Sequence, residues 1–309
     1  MSARWVAGSV RARLLLGRRA GPHVARRLAE AGSLPDAIDV LRVSPGGYGA
    51  ALTRDATLED AQHSVASSVA LAARVLAAWL PQDAAVELRA MASWFELVNI
   101  EDRIAYLTGS ELRPAFELGV LSSVWEAAAE ASSLEELRRL LGRSAWGDAG
   151  GDDPREIELW LRLAWAKRVS RQVPTIRAWA EGALAILLAT EMFVAGRLFD
   201  PLEIRGLGLG QSWVSAATLP DLRERLPSHA AWTLESIEEP GVLWQAELVW
   251  WRRVRLDAES MIRGRLDSGG IVVGAVALLA LDALRVNAAL AAAARPGTAP
   301  TQEVVDALC

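Results

Sequence analysis

The feature that most constrains this sequence is a short segment that occurs three times, at residues 31–36, 131–136 and 216–221. Each copy, together with the helix that it begins, is called here cassette 1, 2 or 3. Each has a serine or threonine followed three residues later by an acid. The hydroxyl can accept the N–H of that third residue, and the acid can reach back to the preceding backbone, as in a capping box. Each cassette therefore predicts the start of a helix.

Apolar residues follow each hydroxyl at helical spacing. One, four and eight positions after it stand Leu34, Ala37 and Leu41 in cassette 1, Leu134, Leu137 and Leu141 in cassette 2, and Leu219, Leu222 and Leu226 in cassette 3. This spacing places the three residues on one helix face. The pattern predicts one helical module used three times. The alternative is three unrelated capped helices, because such capping patterns are common in sequences.

A long apolar segment ending in glycine follows each cassette, at residues 94–109, 184–196 and 276–297. Glycine just beyond a helix end adopts the left-handed conformation without steric cost. The first and last segments agree further, since Asn99 and Asn287 each stand ten residues before the glycine. The repeat predicts three modules, with approximate bounds 1–109, 110–196 and 197–309.

The rest of the chain also has helical patterns. Thr57 and Asp60 predict a capped start and Pro81 the end of one long helix, and residues 154–173 and 174–196 predict two helices that meet at a proline. Residues 241–265 form another long segment rich in tryptophan and arginine. Because no segment alternates apolar and polar residues as a strand does, the sequence predicts an all-α protein.

Composition narrows the classes of function. A hydrophobic fraction of 52% against 23% charged residues is typical of a folded protein, and the net charge of −5 argues against general nucleic-acid binding. The single cysteine, Cys309, cannot form an internal disulfide, which suits a reducing cytosol. The apolar run at residues 270–281 is followed by Asp282 and Arg285. It therefore predicts a buried helix and no direct membrane insertion.

Few residues are candidates for catalysis. Asp152 and Asp153 superficially resemble the aspartate-rich metal site of helical isoprenoid enzymes, but Pro154 after them also fits a helix start. The glycines at 206–210 lack the flanking residues of a phosphate loop, and the three histidines form no ligand-spaced pair. We therefore predict no catalytic residue, no cofactor site and no metal site.

Two arginine clusters are candidates for binding a partner. The residues are Arg11, Arg13, Arg18 and Arg19 near the N-terminus, and Arg252, Arg253 and Arg255 in the segment 241–265. They predict either a solvated helix face or an electrostatic contact with an acidic protein surface, where the rigid donor fork of arginine orients the partner.

Several segments in order resemble the C-type adaptor of the bacterial and archaeal V/A-type rotary ATPases, whose equivalent in the vacuolar enzyme is the d-type adaptor. They are residues 10–13, residues 99–100 with 107–109, residues 118–141 with Val124 and Trp125 before cassette 2, and the ending with residues 303–305 and Cys309. The sequence departs from the family at the opening, where Gly-Ser-Val-Arg replaces Asn-Ala-Arg-Val-Arg, and most strongly over residues 190–210.

The resemblance implies three similar helical domains around a pseudo-threefold axis, which form a funnel. It also implies a non-catalytic subunit at the cytoplasmic side of the membrane, with the central-shaft subunits and the membrane proteolipid ring as partners. Such a subunit transmits torque between ATP turnover and proton or sodium transport. Two alternatives remain open: a helical-repeat scaffold with another partner, and an isoprenoid-type enzyme that uses Asp152 and Asp153.

Overall fold

The computed structural model describes residues 3–199, 211–264, 269–295 and 305–309. Helix accounts for 72% of the structure, and the described residues contain no strand, which confirms the all-α class. The α-helices are α1 (Ala3–Leu16), α2 (Gly21–Ala29), α3 (Leu34–Arg42), α4 (Leu58–Trp79), α5 (Gln82–Leu107), α6 (Trp125–Ala129), α7 (Leu134–Gly142), α8 (Pro154–Gln172), α9 (Arg177–Ala189), α10 (Gln211–Val214), α11 (Leu219–Arg225), α12 (Ser228–Ala231), α13 (Trp244–Ile262) and α14 (Gly270–Ala294). A π-helical turn, Thr190–Val194, follows α9.

The chain forms two compact units: residues 1–88 with 251–309 (unit 1), and residues 89–250 (unit 2). The predicted modules 1–109, 110–196 and 197–309 follow other boundaries and stay a prediction.

In unit 1, α14 packs against α1, α2, α3 and α4. Among the described residues, α14 is the one helix whose length and apolar composition would allow it to cross a bilayer, and 78% of its most apolar stretch is buried in the protein. That burial is typical of a core helix.

Unit 2 contains two apolar cores, both of which include residues of α8. Ile157 and Leu161 pack with residues of α5, α6 and α7 in the first core. Leu159 and Leu163 pack with residues of α9 to α13 in the second. Because α8 buries apolar side chains on two sides, its sequence has no single apolar stripe.

All three cassettes start a helix in the same way, which confirms the capping prediction. Ser33, Ser133 and Thr218 precede α3, α7 and α11 with extended backbones, at φ/ψ of −158°/162°, −149°/159° and −142°/164°. Each hydroxyl oxygen accepts the backbone N–H of the acid three residues on, at 3.3, 3.2 and 3.2 Å. In cassettes 2 and 3 that acid also accepts a backbone N–H from the residue before the hydroxyl, at 2.9 Å in both.

Most apolar residues of the cassettes are buried, and Leu34 and Leu134, directly after the hydroxyl, are half-buried. The residues four and eight positions after each hydroxyl are at most 6% exposed. Cassette 1 lies in unit 1, where α3 packs on α2 and α14. Leu137 and Leu141 of cassette 2 belong to the first core of unit 2, and the leucines of cassette 3 belong to the second. The cassettes therefore lie in three separate apolar cores.

We expect the three caps to contribute alike to stability. Ser33→Ala, Ser133→Ala and Thr218→Ala should each lower the free energy of unfolding by about 1 kcal/mol, because each leaves one helix N–H without its acceptor. Urea unfolding followed by circular dichroism measures this. Ser110→Ala, an exposed serine outside the cassettes, is the matched control. A cassette variant as stable as the control would show that the three caps are not equivalent.

A buried carboxylate holds the short helix before cassette 2. Glu96, on α5, is fully buried and accepts the backbone N–H groups of Ser123, Val124 and Trp125 at the start of α6, at 2.6, 2.8 and 3.0 Å. It also accepts the indole N–H of Trp146 at 3.0 Å. These donors satisfy the charge and fix α6 against α5.

A second buried carboxylate holds the short helix before cassette 1. Asp282, on α14, is fully buried and accepts the N–H groups of Ala20 and Gly21 at the start of α2, at 2.9 and 2.8 Å. It also accepts the hydroxyl of Tyr48 at 2.8 Å. The likeness of cassettes 1 and 2 extends to the two residues before each, since residues 29–34 read AEAGSL and residues 129–134 read AEASSL.

The residue three positions after each buried carboxylate, Asn99 on α5 and Arg285 on α14, forms hydrogen bonds with a further segment of the chain. Asn99 exchanges two hydrogen bonds with the backbone of Phe116, at 2.8 and 3.0 Å. Arg285 donates to the carbonyl of Leu308 at 2.6 Å. Asn287 does not repeat the role of Asn99, since its buried amide oxygen has no partner within the described residues. The structural counterparts are therefore Glu96 with Asn99 and Asp282 with Arg285.

Other predicted boundaries also hold. Thr57 and Asp60 form a reciprocal capping box at the start of α4, which ends before Pro81. α8 and α9 meet at the short 3-10 turn Pro174–Ile176. Gly109 and Gly196 have φ of 105° and 69°, as expected beyond a helix end. Gly297 and the glycine run 206–210 lie outside the described residues.

Candidate interaction surface

The two arginine clusters lie in unit 1, whose charge differs in sign from that of unit 2. Unit 1 contains 17 of the 33 basic residues and 14 of the 38 acidic ones, a formal charge of +3. Unit 2 contains the remaining 16 basic and 24 acidic residues, a formal charge of −8. Unit 1 is therefore the part of the chain better suited to an acidic partner.

Arg13 and Arg19 bind the ends of helices of their own chain. The guanidinium of Arg13 donates to the carbonyls of Ile262 and Gly264 at the end of α13, at 2.9 and 3.3 Å. The Nε of Arg19 donates to the carbonyl of Leu16 at 3.0 Å. Carbonyls at a helix C-terminus lack intrahelical donors, and arginine side chains satisfy them. The sequence does not distinguish Arg13 and Arg19 from the other arginines, because a local pattern does not show the carbonyls that they bind.

Arg253 and Arg255 form ion pairs along their own helix. Arg253 pairs with Asp257 at 2.9 Å and Arg255 with Glu259 at 3.7 Å, both one turn further along α13. Arg252, beside them, is exposed. Such pairs at a surface contribute little to stability and neutralise the positive charge locally. For Arg253 and Arg255 the geometry favours the solvated helix face.

Arg11, on α1, and Arg18, just after its end, remain exposed. The guanidinium of Arg11 lies over the ring of Trp79, 5.1 Å from its centroid, at the end of α4. Val10 and Leu14 of α1 and Trp79 are 45%, 63% and 47% exposed. These three apolar residues were not predicted from the sequence as part of a binding surface. The pattern that predicts α4 gives only its start and its end, and nothing in it marks Trp79 as exposed.

Asp152 and Asp153 have structural roles, one in an ion pair and the other as a helix cap. The carboxylate of Asp153 accepts the N–H of Glu156 at 3.1 Å and caps α8, with Pro154 in the first turn as expected. Asp152 pairs with Arg138 at 2.8 Å, and Asp148 pairs with the same guanidinium at 2.7 Å. Arg138 lowers the pKa of Asp148 through this hydrogen bond. Within the described residues no group of three or more histidine, cysteine or acidic side chains could hold a metal.

A polar cleft lies beside the first half of α8. It is lined by Pro154, Arg155, Glu158, Leu159, Arg162 and Glu191. Both of its arginines are paired with acids, Arg155 with Glu191 at 3.4 Å and Arg162 with Glu101 at 2.7 Å. Burial raises the pKa of Glu101, and the Arg162 guanidinium acts in the opposite direction without reversing the shift. The paired arginines give the cleft little excess positive charge for an anionic ligand.

Among the predicted arginine clusters, Arg11 and Arg18 therefore lie beside exposed apolar residues on the outer side of α1 and at the end of α4. Comparisons with known proteins assign the chain to no group, since it matches no family model and no curated protein.

Proposed function

We propose that the chain is a non-catalytic coupling subunit of a V/A-type rotary ATPase. In this proposal three similar helical domains around a pseudo-threefold axis form a funnel. The funnel joins the central shaft of the catalytic head to the membrane proteolipid ring, on the cytoplasmic side of the membrane. It carries torque between ATP turnover and the transport of protons or sodium ions. The proposal rests on the resemblance of the sequence to the C-type adaptor together with the repeated local structure.

The observation that carries the proposal is the equivalence of the three cassettes. Each starts a helix with the same cap geometry, and each buries its apolar residues in a different core. A chain built by repeating one module would have these features. The cap alone is common, since Thr57 and Asp60 form it at the start of α4 as well, so the inference of a repeated module rests on the cap together with the burial pattern and the similar residues around it. The buried carboxylates Glu96 and Asp282, which hold the short helices before cassettes 2 and 1, support the same interpretation.

The density of internal contacts suits a mechanical role. The fully buried carboxylates of Glu96 and Asp282 connect long helices to neighbouring short ones through several hydrogen bonds each. Close-packed interiors deform little under load, and satisfied buried polar networks fix one arrangement of their elements. A subunit that transmits rotation needs such resistance to deformation.

Co-elution with shaft subunits tests the proposal. The purified chain is mixed with the central-shaft subunits of the rotary ATPase from the same organism and passed over a size-exclusion column at low and at physiological salt. We expect one complex at both salt concentrations. Failure to co-elute under any salt condition would overturn the proposal and leave the helical-repeat scaffold with another partner as the better explanation.

A further inference from the structure

The outer side of α1 combines apolar and basic side chains. Val10 and Leu14 lie one turn apart on this side, Arg11 lies beside them, and Arg18 follows the end of the helix. α1 contains no acidic residue, so no charge on the helix itself compensates its arginines. An apolar ridge next to positive charges is suited to a helix that carries leucines and carboxylates at matching intervals.

Trp79 extends this surface and orders one of its arginines. The guanidinium of Arg11 lies over the Trp79 ring, which favours one position of this exposed side chain before a partner binds. Stacking on an aromatic face and donation to a carboxylate are compatible for arginine. Tryptophan and arginine are also the residues that most often dominate the binding energy of protein interfaces.

Arg13 and Arg18 illustrate which side chains remain available. Arg13 is engaged with the carbonyls of Ile262 and Gly264. The side chain of Arg18 is exposed and makes no hydrogen bond or ion pair to the residues that the structure describes. Of the four arginines that the sequence indicates near the N-terminus, Arg11 and Arg18 therefore remain available to bind a partner.

We propose that Val10, Leu14 and Trp79, flanked by Arg11 and Arg18, bind an acidic amphipathic helix of a partner protein. Anionic lipid surfaces are typically bound by clusters of about four to eight basic residues, whereas two arginines beside a short apolar ridge suit the carboxylates and leucines of one acidic helix. This inference rests on the proposed function for the source of the partner, another component of the rotary ATPase. The surface itself follows from the geometry of α1 and α4.

The test measures binding of a fluorescent synthetic helix with leucines four residues apart and glutamates on both sides, by anisotropy with the full-length chain. The wild type is expected to bind it and to reject the same peptide with lysines in place of glutamates. The variants Arg11→Glu/Arg18→Glu and Leu14→Asp should each bind at least about tenfold more weakly. Arg27→Glu/Val43→Asp, which alters exposed residues elsewhere in unit 1, is the matched control and should bind as the wild type does.

Two results would overturn the inference: equal binding of the peptide by the wild type and Arg11→Glu/Arg18→Glu, or stronger binding of the wild type to phosphatidylserine vesicles than to the peptide. Circular dichroism checks that each variant is folded.

Co-elution with the shaft subunits separates the two proposals. Co-elution of the wild type with the shaft subunits, without binding of the peptide, keeps the proposed function and contradicts this surface. Peptide binding without co-elution keeps the surface and contradicts the proposed function.

Discussion

Replacing Glu96 by alanine is expected to lower the free energy of unfolding by about 3–5 kcal/mol, which would be the largest effect of a single side chain in unit 2. The reason is the number of donors that converge on one carboxylate. The buried carboxylate of Glu96 accepts three partly buried backbone N–H groups at the start of α6 and the buried indole N–H of Trp146. Each buried donor left without an acceptor costs about 1–3 kcal/mol.

The charge of Glu96 should matter as well as its shape. Arg168 stacks over the Trp146 ring at 4.4 Å, and its positive charge is attracted to Glu96. Glu96→Gln keeps one acceptor oxygen but turns a second acceptor into a donor that faces other donors. We expect it to recover only part of the loss seen with alanine. Urea unfolding followed by circular dichroism measures both variants, with the exposed Glu111→Ala as control. A stable Glu96→Ala variant would show that α6 does not depend on this carboxylate.

Asp282→Ala is expected to have an effect of similar size in unit 1, again about 3–5 kcal/mol. Asp282 lies inside the most apolar helix of the chain and accepts from Ala20, Gly21 and the hydroxyl of Tyr48. Removing the carboxylate leaves these buried donors without acceptors and frees the start of α2 from α14. The surface variant Glu259→Gln on α13 should be nearly neutral in the same unfolding experiment. Equal stability of the two variants would contradict the role assigned to Asp282.

Tyr48 should make the stability of the protein depend on alkaline pH. Burial, together with the neighbouring charge of Asp282, raises the pKa of Tyr48 far above its ordinary value of about 10. A group whose pKa is higher in the folded state stabilises the fold fully below the unfolded pKa, and this contribution falls as the pH rises above it. Compared with the wild type, Tyr48→Phe should be less stable at pH 8 and lose less stability between about pH 10 and 12. Parallel losses for both proteins in thermal unfolding would contradict this.

The helix starts were predictable because their determinants are local. Ser33, Ser133 and Thr218 each interact with a backbone group three residues away, and that interaction is visible as a sequence pattern. The end of α5 at Gly109 is equally local, since it depends on the conformation of one glycine. The burial of the cassette leucines followed from helical periodicity, which places them on one face.

The carboxylate contacts were not predictable because their partners are distant in the sequence. Glu96 meets the start of α6 about thirty residues later, and Asp282 meets residues that precede it by more than two hundred. The sequence shows only an acid within an apolar segment and not the donors that surround it. The same limit applies to Arg13, whose partners lie at the far end of the chain, and to the stacking of Arg11 on Trp79. Those contacts determine which arginines of the N-terminal cluster remain available to bind a partner.

The most direct test of the proposed function is electron cryo-microscopy of the membrane complex purified through an affinity tag on this chain. We expect the subunits of a rotary ATPase in the purified sample and density for three similar helical domains between the central shaft and the proteolipid ring. Purification without any other rotary ATPase component, or density for the chain away from the rotor axis, would contradict it.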